Sequence, residues 1–172
     1  MQATLAAWQA AFSSSPFTEA VAGVVWVKAM LESVHILAMG LLLFSIGMIS
    51  VRLAGLGGRS NSPAEMVRRF SPWVWSALVV VFVTGLFLLT GAGGRRGLTT
   101  PMFQLKMVLM LCAIAATALM QVTLQSHRDF WDMNPLRRAL AKVLAPACFL
   151  LWMFTVCAGR WLAYGYVLFP DA

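Results

Sequence analysis

Charge is what this sequence has least of. Only 11% of its 172 residues are Asp, Glu, Lys or Arg, against roughly 25% in a soluble domain, which excludes an ordinary water-solvated fold. Acid is scarcer still, with six Asp and Glu against thirteen Lys and Arg. No paired carboxylates, no Ser/His/Asp set and no HExxH run are present, so the common hydrolytic chemistries have nothing to work with. Histidine occurs twice, at His35 and His127, and cysteine three times, at Cys112, Cys148 and Cys157. The cysteines form no CxxC pair and all sit in apolar stretches, which argues against a disulfide framework and a structural zinc site. Basic residues are missing from the beginning of the chain. No Lys or Arg precedes Lys28, and Met1–Phe12 lacks a proper apolar stretch, so the first span, not a cleavable signal, is expected to direct insertion.

What is present is apolar surface. Hydrophobic residues make up 60% of the chain and the mean hydropathy is +0.80, far too apolar for disorder. The length fits a single membrane domain over residues 1–172. Four apolar runs cover Val21–Val51, Trp73–Thr90, Met102–Gln125 and Val143–Val167. Each can cross a hydrocarbon core of about 30 Å, which takes roughly 20 helical residues. Runs this long without alternation of period two are helices, and lipid tolerates only helices or closed barrels. The expected fold is therefore all-α, an integral membrane four-helix bundle. Met1–Phe12, with Trp8 and Phe12, is expected to form a short interfacial helix over about residues 1–12, and Ser15-Pro16 is a start signal for a further helix. Gly55–Pro63 and Gly91–Gly97 read as loops. Ser126–Lys142 reads as a turn at Asn134-Pro135 followed by a short amphipathic helix.

The net charge of +7 would suggest nucleic acid in a soluble chain, but in a membrane protein it reports topology. Arg52, Arg59, Arg68 and Arg69 lie around the first connection, and Arg128, Arg137, Arg138 and Lys142 around the third. The second connection holds only Arg95 and Arg96. This bias places connections one and three in the cytoplasm and both termini on the periplasmic side. No nucleic-acid partner is expected; the partners are the lipid bilayer and other subunits or a second copy of the chain.

The remaining three basic residues, Lys28, Lys106 and Arg160, lie within spans. Charges there are costly and usually face the bundle interior or the interface. Lys28, Glu32 and His35 share one helix face through their spacing of four and three. On the third span, Lys106 has Met110, Thr117 and Gln121 as neighbours by helical spacing. On the fourth, Arg160 shares a face with Met153, Cys157 and Tyr164. Lys28, Glu32, His35, Lys106 and Arg160 thus fall at similar depth in the outer half of the membrane, with more positive than negative charge. An anion, a quinone carbonyl or the propionates of a heme would use that surplus. Plainer readings stand beside this one. The three basic side chains can snorkel to headgroups, Lys28–Glu32 can be a structural pair, and His35 can be a neutral core histidine hydrogen-bonded to a neighbouring helix. His127 follows the third span, about 15 Å away in depth, and reads as an interfacial loop residue. The methionines fall at ordinary core spacings, and GAGGRRG is a poor phosphate loop.

SPFTEAV, MLESVHILAMGLLLFSIG, VRLAGL, RRFSPWVW, TGLFLLTG, FQLK and CAGRWLAYG, together spanning Ser15 to Gly165, resemble a family of small bacterial four-span membrane proteins of unknown function. Glu32, His35, Arg52, Lys106, Gly159 and Arg160 match that family's pattern. The arrangement is more loosely similar to copper-resistance D and cytochrome b561-type membrane proteins, whose helices carry histidines that ligate b-type heme. Two departures stand out: Ser50 replaces an acidic residue, and Gln121 falls where relatives often carry a histidine late in the third span. A heme on His35 would then need a Met or another subunit for its second axial ligand.

The resemblance implies a multi-pass protein of the bacterial inner membrane. The expected function is that of a membrane subunit in electron transfer or quinone contact, anchoring a periplasmic oxidoreductase and not catalytic on its own. His35 would ligate heme b or hydrogen-bond a quinone, with Glu32, Lys28, Lys106, Arg160 and Gln121 as the other cofactor-binding candidates. The rivals are a non-catalytic scaffold or assembly subunit, held together by interhelical polar bonds, and a metal-ion or small-anion transporter, which four unbroken spans without repeats favour less.

Overall fold

The computed structural model describes residues 24–56, 63–90, 101–126 and 135–168. The expected interfacial helix over residues 1–12, the start signal at Ser15-Pro16, the second connection and His127 lie outside the described residues.

Four helices make up the described chain: α1 Val25–Leu53, α2 Pro63–Thr90, α3 Pro101–Ser126 and α4 Pro135–Leu168. Three of them begin on proline, whose missing N–H is one of the donors a first turn leaves unpaired anyway. Glu65 in the first turn of α2 adds negative charge at the positive end of the helix dipole. α1 ends in a Schellman motif. Gly55 adopts φ +81°, its N–H donates to the Arg52 carbonyl at 3.1 Å, and the Leu56 N–H reaches back to Val51 at 3.1 Å.

Each helix is long and apolar enough to cross a membrane, over Trp26–Leu53, Ala64–Leu88, Phe103–Val122 and Lys142–Trp161. Two helices extend beyond the apolar runs of the sequence. α2 starts ten residues before Trp73, because Arg68, Arg69 and Pro72 interrupt hydropathy without interrupting the backbone. Pro72 sits on an exposed face while Val67, Ser71, Val74 and Ala77 keep a helical stripe turned into the bundle. α4 likewise runs unbroken from Pro135 through exposed Pro146. The amphipathic segment expected as a separate helix is its first turns.

The helices pack as an up-and-down ring, α1 against α2 and α4, α3 against α4 and α2. Call the end where α1 and α3 begin proximal, and the other distal. One core cluster joins Leu42, Ile46, Val74, Ala77, Ala113, Cys148 and Trp152; a second, more distal, joins Ile49, Leu53, Val67, Met120, Leu124 and Ala145. The polarity is that of a protein solvated by lipid. Leu37, Leu119 and Phe154 are 72%, 65% and 61% exposed, whereas Ser45, Ser50, Thr84, Thr117, Gln121 and Thr155 are buried. Apolar association cannot hold such helices together when their surroundings are equally apolar, so close packing and hydrogen bonds must.

Those bonds close the ring. His35 on α1 meets Thr84 on α2, and Ser71 and Trp75 on α2 meet Gln121 on α3. Thr117 on α3 meets Trp152 and Cys148 on α4, and the Ser50 hydroxyl on α1 donates to the Ala145 carbonyl on α4 at 2.9 Å. Every neighbouring pair of helices is joined.

Candidate functional site

The five polar residues gathered by the sequence at one depth separate into two groups. Lys28 and Glu32 form an i,i+4 ion pair at 3.8 Å with side chains 65% and 52% exposed, on the outside of the bundle. Arg160 is also exposed. His35 and Lys106 are partly buried, and these two remain the candidates turned toward the bundle. Gln121 belongs elsewhere: it lies fifteen residues beyond Lys106 on α3, about 22 Å along the axis at 1.5 Å per residue. There its Oε1 accepts from Ser71 Oγ and from Trp75 Nε1, each at 2.8 Å, while its Nε2 has no partner among the described residues.

His35 is held by α2. Its Nδ1 lies 2.7 Å from Thr84 Oγ1. The imidazole edge lies against Gly85, where a Cβ would stand 3.4 Å from Cε1. Lys106 is held in the same manner by α4. A Cβ at Gly159 would stand 3.4 Å from both its Cε and its Nζ, so the lysine stem lies across bare backbone. Each of the two side chains therefore rests on a glycine of the adjacent helix.

The Thr84 hydroxyl fixes the proton on the ring. Its oxygen is 2.6 Å from the Val80 carbonyl and 3.3 Å from that of Val81. Two oxygens at 2.6 Å require a proton between them, and the hydroxyl has only one. It donates to Val80, so Nδ1–H of His35 donates to Thr84. In the neutral ring Nε2 then carries the lone pair.

The arrangement offers one imidazole and one ammonium toward the proximal end of the bundle. The described residues contain no group of three His, Cys, Asp or Glu that could hold a metal ion. The sequence singled out His35 and Lys106 by charge, but not Thr84 or Gly85. The adjacent Thr84-Gly85 pair within an apolar run was the available signal, a hydroxyl beside a gap in side-chain cover. Known protein families, curated proteins and solved structures include none that matches this chain.

Proposed function

We propose that the protein is a subunit of the bacterial inner membrane that contacts the headgroup of a quinone-type redox carrier at His35 and Lys106, in the outer half of the bilayer, and so serves electron transfer by a periplasmic partner. The observation that carries this reading is that a partly buried imidazole, hydrogen-bonded to the neighbouring helix, and a partly buried ammonium that makes no ion pair among the described residues both lie toward the proximal end of the bundle. The excess of Lys and Arg around connections one and three supports the orientation with both termini periplasmic.

The ligand count supports a quinone over a heme. A b-type heme between two histidines needs both at one depth. The second histidine, His127, directly follows the distal end of α3 at Ser126, and His35 lies toward the proximal end of α1. The residues present do not fit a two-histidine heme within one chain.

Protein purified in mild detergent tests the reading. Extraction of the lipids that accompany it is expected to yield quinone at close to one per chain, and His35→Ala to lose it. A preparation without quinone, unchanged in spectrum and lipid content by His35→Ala, removes the case. The closed ring of interhelical hydrogen bonds favours a second reading, a structural subunit that holds partners in place. Partner subunits at fixed stoichiometry with no quinone, before and after His35→Ala, would establish that one instead.

A further inference from the structure

The distal end of α2 presents two cations that the proximal residues do not involve. Arg68 and Arg69 are exposed, and neither side chain has an ion pair or hydrogen bond among the described residues. With Glu65 and the buried Met66 they line a cleft of about 290 Å³, at the lower end of the range for small-ligand sites. Two guanidiniums against one carboxylate leave that cleft positive. Its depth follows from helix geometry. About 20 helical residues cross a hydrocarbon core of about 30 Å; counted back from Thr90, the last residue of α2, they end at Phe70. The two arginines therefore stand at the edge of the hydrocarbon, where lipid phosphates lie. Toward the membrane interior the helix turns bare apolar surface outward. Trp73 and Val80, four and eleven residues beyond Arg69, are exposed, as are Val79 and Phe82, eleven and fourteen beyond Arg68. These spacings keep each set on one helix face.

We propose that this cleft binds one anionic phospholipid, its phosphodiester held by Arg68 and Arg69 and its acyl chains lying along the exposed apolar face of α2. The guanidinium suits the task. Its planar fork sets two parallel N–H donors against phosphate oxygens, and neither arginine has to leave another described partner first. The excess of Lys and Arg at this end of the bundle makes a diffuse attraction that every basic residue there shares. The cleft adds what that attraction lacks, two guanidiniums on adjacent residues at phosphate depth with an apolar track leading from them. A zwitterionic choline lipid brings the same phosphate together with a cation, which the guanidiniums repel. One charge-assisted bond gained or lost corresponds to a preference of about tenfold to a hundredfold.

Native mass spectrometry of the full chain in mild detergent, titrated with phosphatidylglycerol or phosphatidylcholine of equal chain length, tests this. One phosphatidylglycerol is expected to bind about tenfold more tightly than phosphatidylcholine. Arg68→Gln combined with Arg69→Gln should erase that difference. Lys142→Gln removes an exposed charge from the same end of the bundle but outside the cleft, and should keep it. Arg68→Lys with Arg69→Lys retains the charge without the fork and should keep only part of it. Far-UV circular dichroism confirms that each variant is helical; if the glutamine pair fails to fold, the lysine pair carries the same comparison. Equal affinity for the two lipids overturns the proposal. So does a loss with Lys142→Gln as large as with the arginine pair, which would leave only the diffuse attraction. Excess inorganic phosphate should not displace the lipid; displacement would assign the cleft to free phosphate and overturn the lipid.

Discussion

The indole N–H of Trp152 donates to the Thr117 hydroxyl at 2.9 Å, and that hydroxyl passes its own proton to the Ala113 carbonyl at 2.7 Å. The Cys148 thiol, 3.3 Å away, then meets an oxygen with no proton left to give, so S–H donates as well. One buried threonine thus collects two donors from α4 and returns its proton to its own helix. The same device recurs at Thr84, which accepts from His35 and donates to Val80. At these two threonines the hydroxyl receives a side chain from the next helix, while its own proton stays within its own backbone.

Thr117→Val should leave both donors buried without an acceptor. The loss is expected at about 1–3 kcal/mol, read from reversible unfolding in mixed detergent micelles, and Thr117→Ser should recover most of it. A double-mutant cycle with Trp152→Phe should give a coupling of about 0.6–1.7 kcal/mol, the range found for interhelical bonds in lipid. A coupling near zero would mean that the bond contributes nothing beyond packing.

Gln121→Leu is expected to cost less, about 1 kcal/mol in the same measurement. It removes the acceptor used by Ser71 and Trp75, but it also removes a buried amide nitrogen that has no partner. Ser71 can turn its hydroxyl to its own helix, as Ser76 does toward the Pro72 carbonyl at 2.6 Å. A loss as large as that of Thr117→Val would show that the amide nitrogen has a partner after all.

The four helices were legible because hydropathy is a long-range average, and each span carries enough Leu, Val, Ile and Phe to dominate it. Their starts were less so. Pro63 and Pro135 open α2 and α4 well before the apolar runs, since arginines and an exposed proline lower hydropathy without breaking a helix. His35 and Lys106 stood out as charges in apolar surroundings. The separation of Lys28, Glu32 and Arg160 from them did not, because helical spacing gives a shared face but not which face turns inward. The bond of His35 to Thr84 depends on the register between two helices, and no periodicity within one helix encodes that.

Glu32→Gln tests the separation of the two groups directly. The Glu32 side chain is half exposed and, among the described residues, its ion pair is with Lys28; exposed pairs contribute little. Stability should stay within about 0.5 kcal/mol of the unaltered protein, and quinone content after purification should not change. Loss of quinone comparable to that of His35→Ala would return Glu32 to the site.

Gly55→Ala probes the turn that ends α1. At φ +81° a Cβ is strained whatever space surrounds it, although nothing lies within 4 Å of where it would stand. The expected loss is about 1 kcal/mol. Gly55→Asn should lose less, as asparagine tolerates the left-handed region better. Equal losses for the two would point to the side chain, not the backbone angle.

Gly40 and Gly159 give the sharpest comparison, because both are helical glycines and only Gly159 seats a side chain from a neighbouring helix. A Cβ at Gly40 meets nothing within 4 Å, whereas one at Gly159 stands 3.4 Å from Lys106 Cε and Nζ. Replacing a helical glycine by alanine removes backbone freedom from the unfolded chain and is favourable by about 0.5–1 kcal/mol where there is room. Gly40→Ala should therefore stabilise the bundle by about that amount and leave quinone content unchanged. Gly159→Ala should show little or no such gain, because the lysine stem must shift to admit the methyl group. It should also lower the quinone retained through purification, as the ammonium moves with its stem. Gly159→Leu should remove that quinone altogether while the protein remains helical by circular dichroism. If Gly159→Ala stabilises as much as Gly40→Ala and retains full quinone, the glycine is not what positions Lys106.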